Sequence, residues 1–314
     1  LVFTLEKALI YLHILGIFLV VKYNFCKKLK MGGDSVAHIL KGNVVSKDIK
    51  TRINKRVSNL REKDKFPTLG IIRLGENSGD ISYEKSIIRN CEKLGIRSEV
   101  YKRDLKISTA DLVELINELN KDDSISGILV FRPLPKHINE DIIKKTISVD
   151  KDVDCMHPLN LERIFEGYIT GFAPCTPKAV MEVLLYYDIP LEGKNIVIIN
   201  RSMVVGKPLA MMLLEKNATV TICHSKTQDL DSITKNADIV ITALGRAKFF
   251  DERYFNKESI IIDVGVSLDK EGNLSGDVDF QKVEDLVKMI TPVPGGVGSV
   301  TTSILLEQVV FACK

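Results

Sequence analysis

The chain has 314 residues, enough for two domains with separate cores. It is 45% hydrophobic and 27% charged, with no Trp and a formal net charge of only +3 not gathered into a basic stripe, which argues against a nucleic-acid binder. The six cysteines and five histidines fall at no metal-ligand or paired redox spacing, so no metal site is expected, and lone thiols fit a reducing, cytoplasmic compartment.

The first thirty residues differ from the rest. Ala8 to Val21 is an apolar run broken by His13 and followed by Lys22, Lys27, Lys28 and Lys30. It is shorter than the ~20 residues that span a bilayer, and it lacks the leading basic segment and cleavage site of a secretory signal. Met31 opens MGGDSVAHILKG, which reads as an ordinary start. Residues 1–30 therefore read as upstream sequence carried into the frame, with a membrane anchor as the alternative. No membrane segment is expected over 31–314.

Beyond Met31, apolar β-type runs alternate with helical patterns. The spacing predicts a helix over 48–62, a strand over 68–74, a helix over 82–94 and a strand over 97–101. A helix over 110–120 and a strand over 127–131 follow, ending at Pro133-Leu134-Pro135. A loop-rich stretch over 150–158 marks a boundary. The second series has a helix over 179–187, a strand over 194–200, a helix over 207–216 and strands over 218–223, 238–244 and 259–264. A closing helix over 301–313 returns towards the first domain. Strands separated by helices imply right-handed crossovers, hence an α/β fold of two domains, each with a mainly parallel sheet.

The turn after KNIVIIN reads Asn200-Arg201-Ser202-Met203-Val204-Val205-Gly206-Lys207-Pro208. It joins a strand to a helix within a βαβ unit, where backbone N–H groups and the helix dipole hold phosphate. Gly206 lets strand and helix approach closely, and Pro208 suits a first helical turn. The pattern is not G-x-G-x-x-G, because Asn200 stands where a glycine is usual. The next strand ends in Cys223-His224-Ser225-Lys226-Thr227, without the carboxylate that binds an NAD ribose. Arg201, Ser225 and Lys226 instead favour a 2′-phosphate, hence NADP, with NAD left open. Two further loops sit at strand ends: Asp263-Val264-Gly265-Val266, and the rigid, glycine-dense TPVPGGVG at 291–298.

Together, Tyr83, PLP at 133–135, DKDVD at 150–154, HP at 157–158, PCTP at 174–177, RSxxVGKP at 201–208, CHSxT at 223–227, DVG at 263–265 and TPVPGGVG at 291–298 resemble the bifunctional methylenetetrahydrofolate dehydrogenase/cyclohydrolase family, in order and spacing from about residue 40 onward. The resemblance implies a folate-binding catalytic domain over 31–153 plus 300–314, and a Rossmann-type NADP-binding domain over 154–299. It implies a substrate cleft between them and a homodimer formed through the cofactor domains. It further implies oxidation of 5,10-methylenetetrahydrofolate, then hydrolysis to 10-formyltetrahydrofolate, in one-carbon metabolism and purine biosynthesis. By the same resemblance Tyr83 stacks on the aminobenzoyl ring and Asp154 bonds the pterin. Pro294, Gly295 and Gly296 line the cleft, while Asn200, Arg201, Ser202, Gly206, Ser225 and Val266 take cofactor positions.

Two positions depart from the family. Its lysine, four residues after the tyrosine on the same helical face, is here Ile87, and its partner glutamine is Phe131. Lys85 lies about 200° around the helix from that face. The lysine is the group expected to assist water addition, whereas hydride transfer needs mainly proximity and orientation. Dehydrogenation is therefore expected to survive and hydrolysis to be weak or absent, with Lys85 and Arg132 as the candidates for rescue. The alternatives are another NADP-dependent oxidoreductase acting on a small acid, which leaves TPVPGGVG unexplained, and a non-catalytic folate or nucleotide binder.

Overall fold

The computed structural model describes residues 37–167 and 171–314, so the expectations for residues 1–30 lie outside the described residues. In chain order the elements are β1 (His38–Ile39), α1 (Gly42–Arg61), β2 (Thr68–Leu74), α2 (Ser78–Leu94), β3 (Arg97–Arg103), α3 (Thr109–Lys121), β4 (Gly127–Val130), α4 (Glu140–Thr146) and α5 (Pro158–Phe165). Then follow α6 (Cys175–Tyr186), β5 (Asn195–Ile199), α7 (Gly206–Leu214), β6 (Thr219–Cys223), α8 (Leu230–Lys235), β7 (Ile239–Thr242), β8 (Ile260–Asp263), β9 (Ser267–Leu268), β10 (Leu274–Ser275), α9 (Phe280–Val283), β11 (Met289–Ile290) and α10 (Val297–Ala312).

Two parallel sheets organise the molecule. One has the order β3-β2-β4, the other β1-β11-β8-β7-β5-β6, and β9 and β10 form a small antiparallel hairpin. The strands Thr68–Leu74 and Ile239–Thr242 are buried at every position, as expected of parallel strands covered on both faces. Every strand and helix expected from the sequence is present, with ends shifted by a few residues.

Helix α2, which carries Tyr83, is closed at both ends by local chemistry. The Asn77 side chain accepts the N–H groups of Gly79 and Asp80, and Gly95 closes the C-terminus at φ 67°. Beneath it, Arg73 of β2 is 1% exposed and donates to Glu84 of α2 at 2.7 Å. That bond holds the Arg73 guanidinium above its ordinary value and ties the helix to the sheet.

One segment departs from the expected division of the chain. His38–Ile39 pairs with Met289–Ile290 at the edge of the six-stranded sheet, not with the first lobe. Two residues carry no readable period, so nothing in the sequence marked them. Next to this strand, a Cβ on Gly42 would collide with the carbonyl oxygen of Gly296, so the start of α1 packs directly on the TPVPGGVG loop. Helix α10 is apolar nearly all round, and packs on α1 and α6. Its Gln308, 1% exposed, accepts from the Ala173 N–H at 2.9 Å and donates to the Val153 carbonyl at 2.7 Å. A single hydrophobic cluster runs through these helices and contains Ile71 and Ile87 of the first lobe with Ile198 and Ile241 of the second. Among the described residues no helix is long and apolar enough to cross a membrane.

Candidate active site

The C-terminal end of β4 and the loop after it build one wall of a cleft. The loop is fixed by Asp152, which is 1% exposed and accepts from the N–H groups of Met156 and His157 at 2.8 and 2.9 Å and from Asn160 Nδ2 at 2.8 Å. Burial pushes its carboxyl upward while these donors pull it down. Two residues on, Asp154 receives Arg132 Nη2 on its Oδ2 at 2.9 Å, with both side chains about one-fifth exposed.

Two adjoining cavities meet at this pair. The first, of about 750 Å³, runs from Asp154 past α4 and α5 to Met203 and Val204 in the strand–helix turn of the second lobe. The second, of about 550 Å³, runs from Asp154 to Tyr83, Phe131, Thr301 and Leu305. Arg132, Glu140, Asp154, Cys175, Thr176 and Val204 line both. Tyr83 presents its ring to this space, tilted 34° to Phe131 with centroids 5.5 Å apart. Desolvation, then the neighbouring Cys175 and Asp154, push its phenol upward, so it stays neutral.

Tyr83 and Asp154 thus come together. Pro294, Gly295 and Gly296 lie outside the lining of both cavities. Gly296 is buried against the backbone of Pro292, and the helix that starts at this loop lends Thr301 and Leu305 to the second cavity. Asn200 also acts within its own turn. Its Oδ1 accepts from Ser202 N and Oγ at 2.8 and 2.7 Å and from Gly206 N at 3.1 Å, while its Nδ2 donates to the Ala243 carbonyl at 2.6 Å. The side chain replaces the usual glycine by bracing the turn from inside. A Cβ on Gly206 would collide with the Asn200 carbonyl, which explains the glycine there. Arg201, Ser202, Ser225 and Val266 are exposed along the same edge, with Lys226 beside them. Exposed hydroxyls and cations without a carboxylate on the 200–207 and 223–227 stretches are a donor set that fits a phosphorylated dinucleotide.

The two altered positions are apolar in fact. Ile87 is fully buried, Phe131 is 8% exposed, and both belong to the central hydrophobic cluster. Lys85 is exposed and lines neither cavity, as its place on the helix implied. Sequence reasoning did not foresee Glu140, Cys175, Thr176, Met203 or Val204 as lining residues, although the PCTP and RSMVVGKP motifs contain four of them. Burial pushes the thiols of Cys91 (to about 12), Cys155, Cys175 and Cys223 upward, which disfavours their thiolate forms.

Two family models match most of the chain: the tetrahydrofolate dehydrogenase/cyclohydrolase catalytic domain over residues 40–154, and the NAD(P)-binding domain of the same family over 174–314. The chain belongs to the tetrahydrofolate dehydrogenase/cyclohydrolase family. Among its relatives in that family is a bifunctional protein FolD from Clostridium botulinum, 58% identical over 279 residues that cover 89% of this chain and 99% of the relative. A solved methylenetetrahydrofolate dehydrogenase/cyclohydrolase from Campylobacter jejuni is 42% identical, with a TM-score of 0.86 over 88% of this chain and 98% of its own. The Trypanosoma brucei enzyme of the family, solved with NADP and an inhibitor, is 31% identical, with a TM-score of 0.83 over 88% of this chain and 97% of its own.

Proposed function

We propose that this chain is an NADP-dependent methylenetetrahydrofolate dehydrogenase whose cyclohydrolase half is weak or absent. The loss of hydrolysis rests on the apolar pair Ile87 and Phe131, which stand where the family places lysine and glutamine. Folate lies in the cleft with its aminobenzoyl ring on Tyr83 and its pterin on Asp154. Thr301 and Leu305 wall the Tyr83 side, and Met203 and Val204 mark where the cofactor lobe meets the substrate. Asn200 braces the turn, with Arg201, Ser202, Ser225 and Lys226 available to phosphate, Gly206 admitting the helix, and Val266 on the nicotinamide side. NADP, when bound, supplies the hydride acceptor. The protein's part is to align the methylene carbon and exclude water, so no proton-transfer group is needed for this step.

Hydrolysis of the methenyl product is different, because a water must lose a proton as it adds. Ile87 and Phe131 have no proton to exchange, and Lys85 lies outside the cleft. Arg132 is at hand, but a guanidinium donates hydrogen bonds and accepts none. Pro294, Gly295 and Gly296 border the bound folate where α10 begins, a reading supported by Thr301 and Leu305 of that helix lining the second cavity. A homodimer through the cofactor lobe is supported by Leu268 and Leu274, 64% and 54% exposed on the β9–β10 hairpin. Free buried thiols support a cytoplasmic setting. A contribution to purine biosynthesis would depend on how the 10-formyl product arises.

A two-step assay on purified protein separates the halves. Reduction of NADP by methylenetetrahydrofolate is expected, with methenyl hydrolysis no faster than in buffer. Enzymatic hydrolysis well above the buffer rate would overturn the loss of the cyclohydrolase half, and Lys85→Ala and Arg132→Ala would then show whether either cation had rescued it.

A further inference from the structure

Arg132 lines both cavities and is the bonded partner of Asp154. The contact is one-point, through Oδ2 alone, so the guanidinium fixes the carboxylate without taking both its oxygens. The other cation on the cavity wall, Lys144, is already held by Glu140 at 3.2 Å and Asp141 at 3.6 Å. Arg132 is thus the charge that offsets Asp154.

Hydride transfer makes that balance matter. The hydride leaves the methylene carbon with both bonding electrons and passes to the nicotinamide ring. The folate changes from a neutral ring to a methenyl cation, while the nicotinamide loses its positive charge. A bare carboxylate in the cleft would attract the cationic product more than the neutral substrate, and in a partly buried site that difference is not screened away.

We infer that Arg132 is a positioning residue that orients Asp154 for the pterin and, by offsetting its charge, keeps the cleft from retaining the cationic product. The inference rests on Asp154 being the pterin contact. The test compares the KM for methylenetetrahydrofolate with the inhibition constant of methenyltetrahydrofolate in the wild type and in Arg132→Leu, Arg132→Lys and Asp154→Asn. Arg132→Leu is expected to raise the KM and to lower the ratio of inhibition constant to KM by about tenfold. Arg132→Lys, which keeps the charge, should stay near the wild-type ratio. A merely structural role would weaken both ligands together and leave the ratio unchanged in Arg132→Leu, which would overturn the inference. An unchanged KM in Asp154→Asn would overturn the site reading itself, and the inference with it. A raised KM there beside an unchanged Arg132→Leu ratio would overturn the inference alone.

Discussion

The ring of Phe131 lies against that of Tyr83 at 5.5 Å and shares the hydrophobic cluster of Ile87, so the region that would hold a lysine's ammonium is apolar. Ile87→Lys alone would bury an unpaired charge and should lower stability by several kcal/mol, seen as a fall in Tm. Adding Phe131→Gln supplies a hydrogen-bond partner. The double variant is expected to recover part of that loss and to hydrolyse methenyltetrahydrofolate on the order of a hundredfold above the spontaneous rate. Its dehydrogenase activity serves as the check that it has folded. Asn200→Ala should act in the other lobe, removing the acceptor shared by Ser202 and Gly206. The KM for NADP is expected to rise about tenfold while that for folate stays near wild type. Ile87 and Phe131 were legible in the sequence because family spacing marks both positions. The partner of Arg132 was not, since the approach of residues 132 and 154 depends on a loop braced by the buried Asp152.

Where β7 and β8 end, two buried carboxylates shape the loops on the cofactor side. Asp277 accepts from the N–H groups of Leu244 and Arg246, and Asp263 accepts from Thr242 Oγ1 at 2.9 Å and from Gly265 N at 3.0 Å. Burial, with the Asp277 carboxylate adding to it, pushes Asp263 from its ordinary 3.8 to about 7 against those donors. The folded state therefore keeps a proton that the unfolded chain releases above about pH 4. Stability from this group is full at low pH and is lost as pH rises towards 7, by ~4 kcal/mol at most. Asp263→Asn should flatten that slope in urea melts at pH 5 and pH 8. On the other sheet, Glu84→Gln leaves the buried Arg73 with only the exposed Glu76 carboxylate, 3.4 Å away, to offset it, and a loss of about 3 kcal/mol is expected by the same method. Long elements were readable from their periods. Helices α4 and α5, of 7 and 8 residues, were not, and neither were the two-residue strands β1 and β11, whose pairing comes from the rest of the sheet.

Across the whole molecule, α10 joins what the motifs divide. It begins in the TPVPGGVG loop, lends Thr301 and Leu305 to the cleft, and ends with Gln308 bonded to Val153 and Ala173. The return of the closing helix was legible in its apolar run. That it brings Thr301 and Leu305 to the cleft was not, because which of its faces meets the cavity depends on its packing against α1 and α6. In solution, Leu268→Glu with Leu274→Glu is expected to shift a dimer to monomer in sedimentation measurements. The central claim is that hydride transfer persists where hydrolysis has lost its proton-transfer group. It is tested most directly by following NADPH and methenyltetrahydrofolate together after mixing purified protein, NADP and methylenetetrahydrofolate. The expected result is equal formation of the two, with methenyltetrahydrofolate accumulating and decaying only at its rate in buffer. NADPH formation with 10-formyltetrahydrofolate appearing in step, and no methenyl accumulation, would contradict it.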